Sequence, residues 1–113
     1  VNAFSPSIRY TLAIGHNVAG FPHWSRETVE STVSANWTLP GFTLTSAFGR
    51  WEGVDEDSTL VTYLGDASDE AAILAIAERI AADLQQDAVL VTAEPVRVAF
   101  VSALRADRAE PAA

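Results

Sequence analysis

A chain of 113 residues, 49% of them hydrophobic, is long enough for one two-layer core and too short for two. It contains no cysteine, and all seven of its fixed cations are arginines, which excludes disulfides, thiolate chemistry, Schiff bases and the lysine of a phosphate-binding loop. Fifteen acids against those arginines leave a formal charge of −8, which disfavours direct binding to nucleic acid and to anionic membrane surfaces.

Val1 to Ser7 reads as an extended lead-in ending at Pro6. A first strand follows from Arg9 to His16, with Ile8, Tyr10, Leu12 and Ile14 on one face and Arg9, Thr11 and Ala13 on the other. Gly15-His16-Asn17 ends it, and Gly20-Phe21-Pro22-His23 forms a loop. Ser25 is placed to cap a helix running to Trp37, with Glu27 in its positive first turn and Trp24 stapled onto Val29. Pro40-Gly41 stops that helix.

A second strand puts Phe42, Leu44 and Phe48 on one side and Thr43, Thr45, Ala47 and Trp51 on the other. A loop from Gly53 to Asp57 is expected before a third strand, Ser58 to Leu64, with Leu60 and Leu64 facing inward and Val61 and Tyr63 outward. Ser68 caps the second helix, where Ile73, Ile76, Ala77, Ile80 and Leu84 recur at helical spacing as a buried stripe. Ala88 to Thr92 is a short strand that Pro95 breaks, with a further strand or bulge from Val96 to Ser102.

The order β-α-β-β-α-β predicts an α+β fold, a ferredoxin-like two-layer sandwich with an antiparallel sheet and both helices on one face. The expected core is Leu12, Ile14, Leu44, Phe48, Leu60, Ile73, Ile76, Ile80, Leu84 and Val89. Residues 1–104 should form the single domain and 105–113 a flexible tail. No apolar run is long enough to span a bilayer, and no charged-then-apolar leader opens the chain, so a cytoplasmic location is expected.

Chemistry-bearing residues are few. His16 and His23 are the two histidines, seven residues apart with no matched carboxylate, a poor basis for a metal site. His16, Asn17, Arg50, Trp51, Glu52 and Tyr63 are the candidates for a ligand pocket: an imidazole that titrates near neutrality, and a planar cation beside an indole wall. The competing reading makes His16 a helix-entry residue and Arg50 a surface partner of Glu52 or Glu56. No catalytic set is assigned, since no nucleophile elbow or zincin motif occurs, and no cofactor motif is present. Asn36-Trp37-Thr38 matches a glycosylation acceptor, but with no sign of secretion an asparagine ending a helix is the better account of it.

The face of the sheet opposite the helices offers a second kind of site. Thr11, Ala13, Thr43, Thr45, Ala47 and Val61 are assigned to it, a surface poor in charge and suited to sheet-to-sheet association.

Gly49-Arg50-Trp51 in a long second strand, Gln85-Gln86 ending the second helix, then Val89-Leu90-Val91 and Pro95 to Phe100 form an ordered series. It resembles a family of small bacterial and phage-associated proteins of unknown function with a ferredoxin-like fold. The resemblance spans Tyr10 to Phe100 and implies the fold; it carries no catalytic residues. The alanine-, valine- and arginine-rich composition without lysine also resembles that of a high-GC actinobacterium or its phage.

Together these features predict a non-enzymatic binding or interaction module, homodimeric through the open sheet face and with a protein partner as a further option. An alternative is a small-molecule-binding protein or enzyme of the dimeric ferredoxin-like type. A third reading is an acidic inhibitor of a basic nucleic-acid-binding protein, which needs Asp55 to Asp57, Asp66, Asp69 and Glu70 to form one patch.

Overall fold

In the computed structural model, which describes residues 2–104, the alternation of the first strand carries through. The tail expected over 105–113 lies outside the described residues. Strand β1 is Ser5–Gly15, with Tyr10, Leu12 and Ile14 buried under the helices. It is followed by a small hairpin, β2 (Asn17–Val18) and β3 (Phe21–Pro22), turned by Ala19 and Gly20 at φ 53° and 83°. Two successive left-handed residues match the right-handed twist of the flanking strands.

Ser25 caps α1 (Arg26–Asn36) as expected, its hydroxyl accepting the Thr28 N–H at 3.1 Å. Val29 and Val33 are the buried residues of this helix.

The next two strands, β4 (Thr43–Trp51) and β5 (Val54–Gly65), form one long hairpin. The loop expected over Gly53 to Asp57 is strand instead. Glu52 and Gly53, at φ 49° and 80°, close a two-residue turn, so pairing begins at once with Trp51 opposite Val54. Register then overrides the poor strand propensity of Asp55, Glu56 and Asp57.

The start of the second helix also differs from the expectation. Asp66, not Ser68, is the cap: it accepts the Ser68 N–H at 2.8 Å, while the Asp69 carboxylate accepts the Asp66 N–H at 3.1 Å. This reciprocal box opens a 3-10 turn (Ala67–Asp69) that runs into α2 (Glu70–Asp83). Ile73, Ile76, Ala77, Ile80 and Leu84 are all buried, as their spacing predicts. The helix ends with Gln85 at φ 54°, the Gln85 N–H donating to the Ala82 carbonyl and the Gln86 N–H to that of Ala81.

The last strand, β6 (Leu90–Val98), passes through Pro95 without a break. The strand lies at the sheet edge and pairs with β1 alone, so the absent N–H breaks no ladder.

The four long strands run antiparallel in the order β4-β5-β1-β6, with two helices on one face, which is the ferredoxin-like arrangement. Register corrects the phase assigned to the third strand. Val61 stands opposite Leu12, and Tyr63 opposite Tyr10, so both face the helices; Val61 is fully buried and cannot line the open face. Leu60 falls on the open face instead, opposite Ala13.

Of the other expected core residues, Leu44 and Val89 are half-buried against the core, whereas Phe48 is 68% exposed. Lengths explain Phe48. The 14 residues of α2 span roughly 21 Å, while the 12 of β5 reach about 40 Å. The hairpin therefore runs past the end of its helical cover.

Candidate binding groove

The end of the sheet beyond the helices carries a groove of about 1110 Å³. One wall is the β4–β5 hairpin, with Trp51, Glu52, Val54 and Glu56; the other is the β2–β3 turn and the connection from Gln85 to Leu90. Its floor is the open face itself, at Ala13, Gly15 and Ser58. A smaller hollow of about 360 Å³ lies on α1, bounded by that helix and Asp83, and offers a ligand no second wall.

Asn17 ties the groove's parts together. Its backbone N–H donates to Glu56 Oε2 at 2.8 Å, its side-chain amide donates to the Asp55 carbonyl at 3.2 Å, and its own carbonyl accepts from Gln86 Nε2 at 2.7 Å. Two segments distant in sequence, the start of β5 and Gln86, are thereby fixed to one residue.

Gly15 explains the position of Glu56. A Cβ on Gly15 would fall inside the Glu56 carboxylate, so the glycine leaves the space in which that carboxylate lies. Only Oε2 of Glu56 is engaged among the described residues, which leaves Oε1 free in the groove. Glu52 and Asp87 add two further carboxylates to the lining, and among the described residues no arginine or histidine contributes to it.

The residues singled out from sequence separate into three places. Asn17, Trp51 and Glu52 line the groove, Trp51 being 74% exposed. Arg50 points away and pairs with Asp55 at 2.5 Å. His16 and Tyr63 lie on the helix-covered side, so the imagined cluster of His16, Arg50, Trp51 and Tyr63 does not assemble. Thr11, Ala13, Thr43, Thr45 and Ala47 do occupy the open face, as the pairing registers require.

His16 is a structural hub. Its Nε2 lies 2.8 Å from Thr59 Oγ1, its N–H donates to the Asp57 carbonyl at 3.0 Å, and its carbonyl accepts from Trp24 at 2.9 Å. Burial holds its pKa below the ordinary histidine value of 6.5, against the opposing pull of Asp57 and Glu56. A neutral imidazole therefore fastens the end of β1 to β5 and to the entry of α1.

Tyr63 belongs to an aromatic cluster at the opposite end, with Tyr10 stacked at 6.3 Å and Trp37 edge-on at 6.0 Å. Burial raises the pKa of both tyrosines, reinforced by the hydrogen bond to Asp69 for Tyr63 and by the charges of Glu70 and Asp69 for Tyr10. Both phenols therefore act as donors, Tyr10 to the Asp66 carbonyl at 2.6 Å and Tyr63 to Asp69 Oδ2 at 3.2 Å.

Two acid groups that the mimicry reading needed side by side are at opposite ends of β5. Asp55 to Asp57 begin that strand and Asp66 to Glu70 follow its end, so they form no single patch. Among the described residues no three of the histidines and acids converge as a metal site. No helix of the described residues is long and apolar enough to cross a membrane.

Glu56 and Gln86 escaped the sequence reading as site residues. Glu56 carries a signal only after the phase of β5 is known, since it then shares the open face with Ser58 and Leu60.

No protein-family model matches the chain, and no curated protein matches it. Among solved structures, a phage SAM lyase in complex with S-methyl-5′-thioadenosine is similar at TM-score 0.65 and 16% identity, covering 83% of this chain and 90% of the lyase. A phage SAM lyase in the apo state is similar at TM-score 0.66 and 18% identity, over 87% and 91% of the two chains. CPII, a nitrogen regulatory PII-like protein from Thiomonas intermedia K12 bound to ADP, AMP and bicarbonate, is similar at TM-score 0.52 and 9% identity, over 88% and 100%. At these identities the likeness establishes the fold that the strand order had indicated, shared with a phage SAM lyase and a nitrogen regulatory PII-like protein.

Proposed function

We propose that this chain is a non-enzymatic small-molecule-binding module whose ligand lies in the groove between the β4–β5 hairpin and the Gln85–Leu90 connection. The observation that carries the reading is the groove itself, a concave site with an indole at one wall and amide and carboxylate groups at fixed positions. The solved structures of like fold hold ligands of two charge types, a neutral thioether of adenosine and a set of anions. Here the sign of the lining discriminates between them. Glu52, Glu56 and Asp87 repel phosphates, and among the described residues no groove arginine offsets them. A flat, non-anionic ligand of the S-methyl-5′-thioadenosine type fits, with its ring on Trp51 and a donor group on Glu56 Oε1.

Titration calorimetry with S-methyl-5′-thioadenosine and with ADP tests this. The thioether should bind and ADP should not. A ring stacked on an indole is worth about 1–3 kcal/mol, so Trp51→Ala should weaken binding by roughly 5- to 150-fold. Binding of ADP in preference, or of neither compound, would remove the reading.

Self-association is the second part of the proposal. Leu60 and Leu64 stand on the uncovered face of the sheet beside Thr11, Ala13, Thr43, Thr45 and Ala47, a surface with little charge at its centre. A monomer in sedimentation velocity up to high micromolar concentration would exclude it.

A further inference from the structure

The two edges of the sheet are not equivalent. The β6 edge carries Glu94, Pro95 and Arg97, the charges and the proline by which natural sheets discourage pairing with another chain. The β4 edge has none of that protection: its nine residues, Thr-Leu-Thr-Ser-Ala-Phe-Gly-Arg-Trp, include no proline, no acid and a single charge, Arg50, already paired with Asp55. That strand hydrogen-bonds to β5 alone, so one full row of its backbone N–H and C=O groups faces outward.

Two large aromatics flank this row with no cover of their own. Phe48 is 68% exposed on the helix side of the sheet, and Trp51 is 74% exposed on the open side. A partner strand laid along β4 would cover both at once.

As a contact at the sheet edge, distinct from the open-face association proposed above, we infer that β4 pairs antiparallel with the β4 of a second copy, about a two-fold axis at Ala47. Ala47 is the midpoint of Thr43–Trp51, so this register alone pairs all nine residues. Thr43 then opposes Trp51 of the other copy, Leu44 opposes Arg50, Thr45 opposes Gly49 and Ser46 opposes Phe48. No like charges meet. For a chain of net charge −8 that condition is demanding, and a strand free of acids meets it. Apolar surface favours the same register: Phe48, 68% exposed, comes to lie opposite Ser46 of the other copy and is partly covered by it. The product is a continuous eight-stranded sheet, with a groove beside the turn at the end of each hairpin.

Ala47 facing its own counterpart gives a test that depends on register. Ala47→Lys and Ala47→Glu each place like charges directly opposite and should raise the dimer dissociation constant at least tenfold, while circular dichroism shows an intact fold. Mixed in equal amounts, the two variants should dimerise again, and native mass spectrometry should find the heterodimer. If each variant dimerises as the wild type does, or if the mixture fails to recover, the β4 register is overturned while self-association stands. If the wild type itself is monomeric, both fall. Should an Ala47 variant unfold, Ser46→Lys/Phe48→Lys mixed with Ser46→Glu/Phe48→Glu, at exposed positions opposite each other across the axis, gives the same two outcomes.

Discussion

Gly65 and Gly15 sit at opposite ends of the β1–β5 pair, and each leaves the space of its missing Cβ to a carboxylate from elsewhere in the chain. At Gly65 the carboxylate is that of Asp69, which accepts the Asp66 N–H and the Tyr63 hydroxyl. Around it Tyr10 donates to the Asp66 carbonyl, and Ser7 to the Gly65 carbonyl at 2.7 Å. The Asp66 N–H and the Tyr63 hydroxyl both fall on Asp69 Oδ2, and the result is the capped start of α2. At Gly15 the carboxylate is that of Glu56, held through one oxygen by Asn17 and open through the other. The same local device thus takes part in a helix cap at one end and lines a groove at the other. What the seated carboxylate faces separates the two roles.

Substitution of the structural glycine should have the largest effect. A Cβ on Gly65 would meet both the Asp69 carboxylate and the Tyr63 ring, and the ring is locked by Tyr10 and Trp37. Gly65→Ala should therefore cost about 1–3 kcal/mol as an overpacked site, read as a lower denaturation midpoint in urea. An unchanged midpoint would mean that the joint is loose and that the contrast with Gly15 has no basis.

Asp69→Ala comes next. It removes one half of the reciprocal cap and leaves the Tyr63 hydroxyl without its acceptor, for about 0.5–2 kcal/mol. Ser68→Ala would delete the cap that the sequence suggested. Because the capping carboxylate belongs to Asp66, which also accepts the Ser68 N–H, that change should do less than Asp69→Ala in the same melt. The reverse order would restore Ser68 as the determining residue.

How much of this was legible in the sequence depends on how many physical signals overlapped at each position. The α2 stripe was readable because Ile73, Ile76, Ile80 and Leu84 repeat at 3.6 residues with polar or small residues between them, Leu74 apart. The phase of β5 was not. Leu60, Val61, Thr62, Tyr63 and Leu64 put apolar groups on both faces, and only register against Leu12 and Tyr10 decides which face is inner. Asn17, Trp51 and Glu52 were visible as polar or aromatic residues at strand ends. Glu56 and Gln86 were not, because their meeting at Asn17 is a product of sheet order and of the left-handed cap at Gln85. Position in sequence gave no hint of that convergence.

The pH dependence of stability sharpens the comparison beside Gly15. His16, the next residue, is buried neutral, so its folded pKa lies below the unfolded value of 6.5. Below that value the unfolded chain binds the proton more readily than the native one, and stability falls as pH drops through 6.5 until the folded group also titrates. Above it the contribution of His16 is constant. A melting series from pH 7.5 to mildly acidic pH should show this decline, and His16→Gln should flatten it relative to wild type. Asp57, Glu56 and Arg26 also act on this imidazole, so Glu56→Gln should steepen the decline slightly by removing a charge that favours the protonated form. A series that stays flat for the wild type would show that His16 is solvated and free to titrate.

The smallest effect on stability is expected at Gly15, and it is the most informative. The Cβ of Gly15→Ala would meet only the far end of the Glu56 side chain, which can swing aside, and no positive φ opposes an L-residue there. Replacing glycine also lowers the entropy of the unfolded chain, a gain of about 0.4–1 kcal/mol that offsets the lost Asn17–Glu56 hydrogen bond. The urea midpoint should therefore stay within about 0.5 kcal/mol of wild type, as for an ordinary surface change. The groove would nevertheless lose its positioned acceptor. If a donor on the ligand uses Glu56 Oε1, Gly15→Ala should weaken S-methyl-5′-thioadenosine binding about as much as Glu56→Gln does, although it leaves the carboxylate in the chain. Equal affinity in Gly15→Ala and wild type, alongside weak binding in Glu56→Gln, would mean that charge in the groove matters and the position set by Gly15 does not. Unimpaired binding in both would reduce Glu56 to a tether for Asn17.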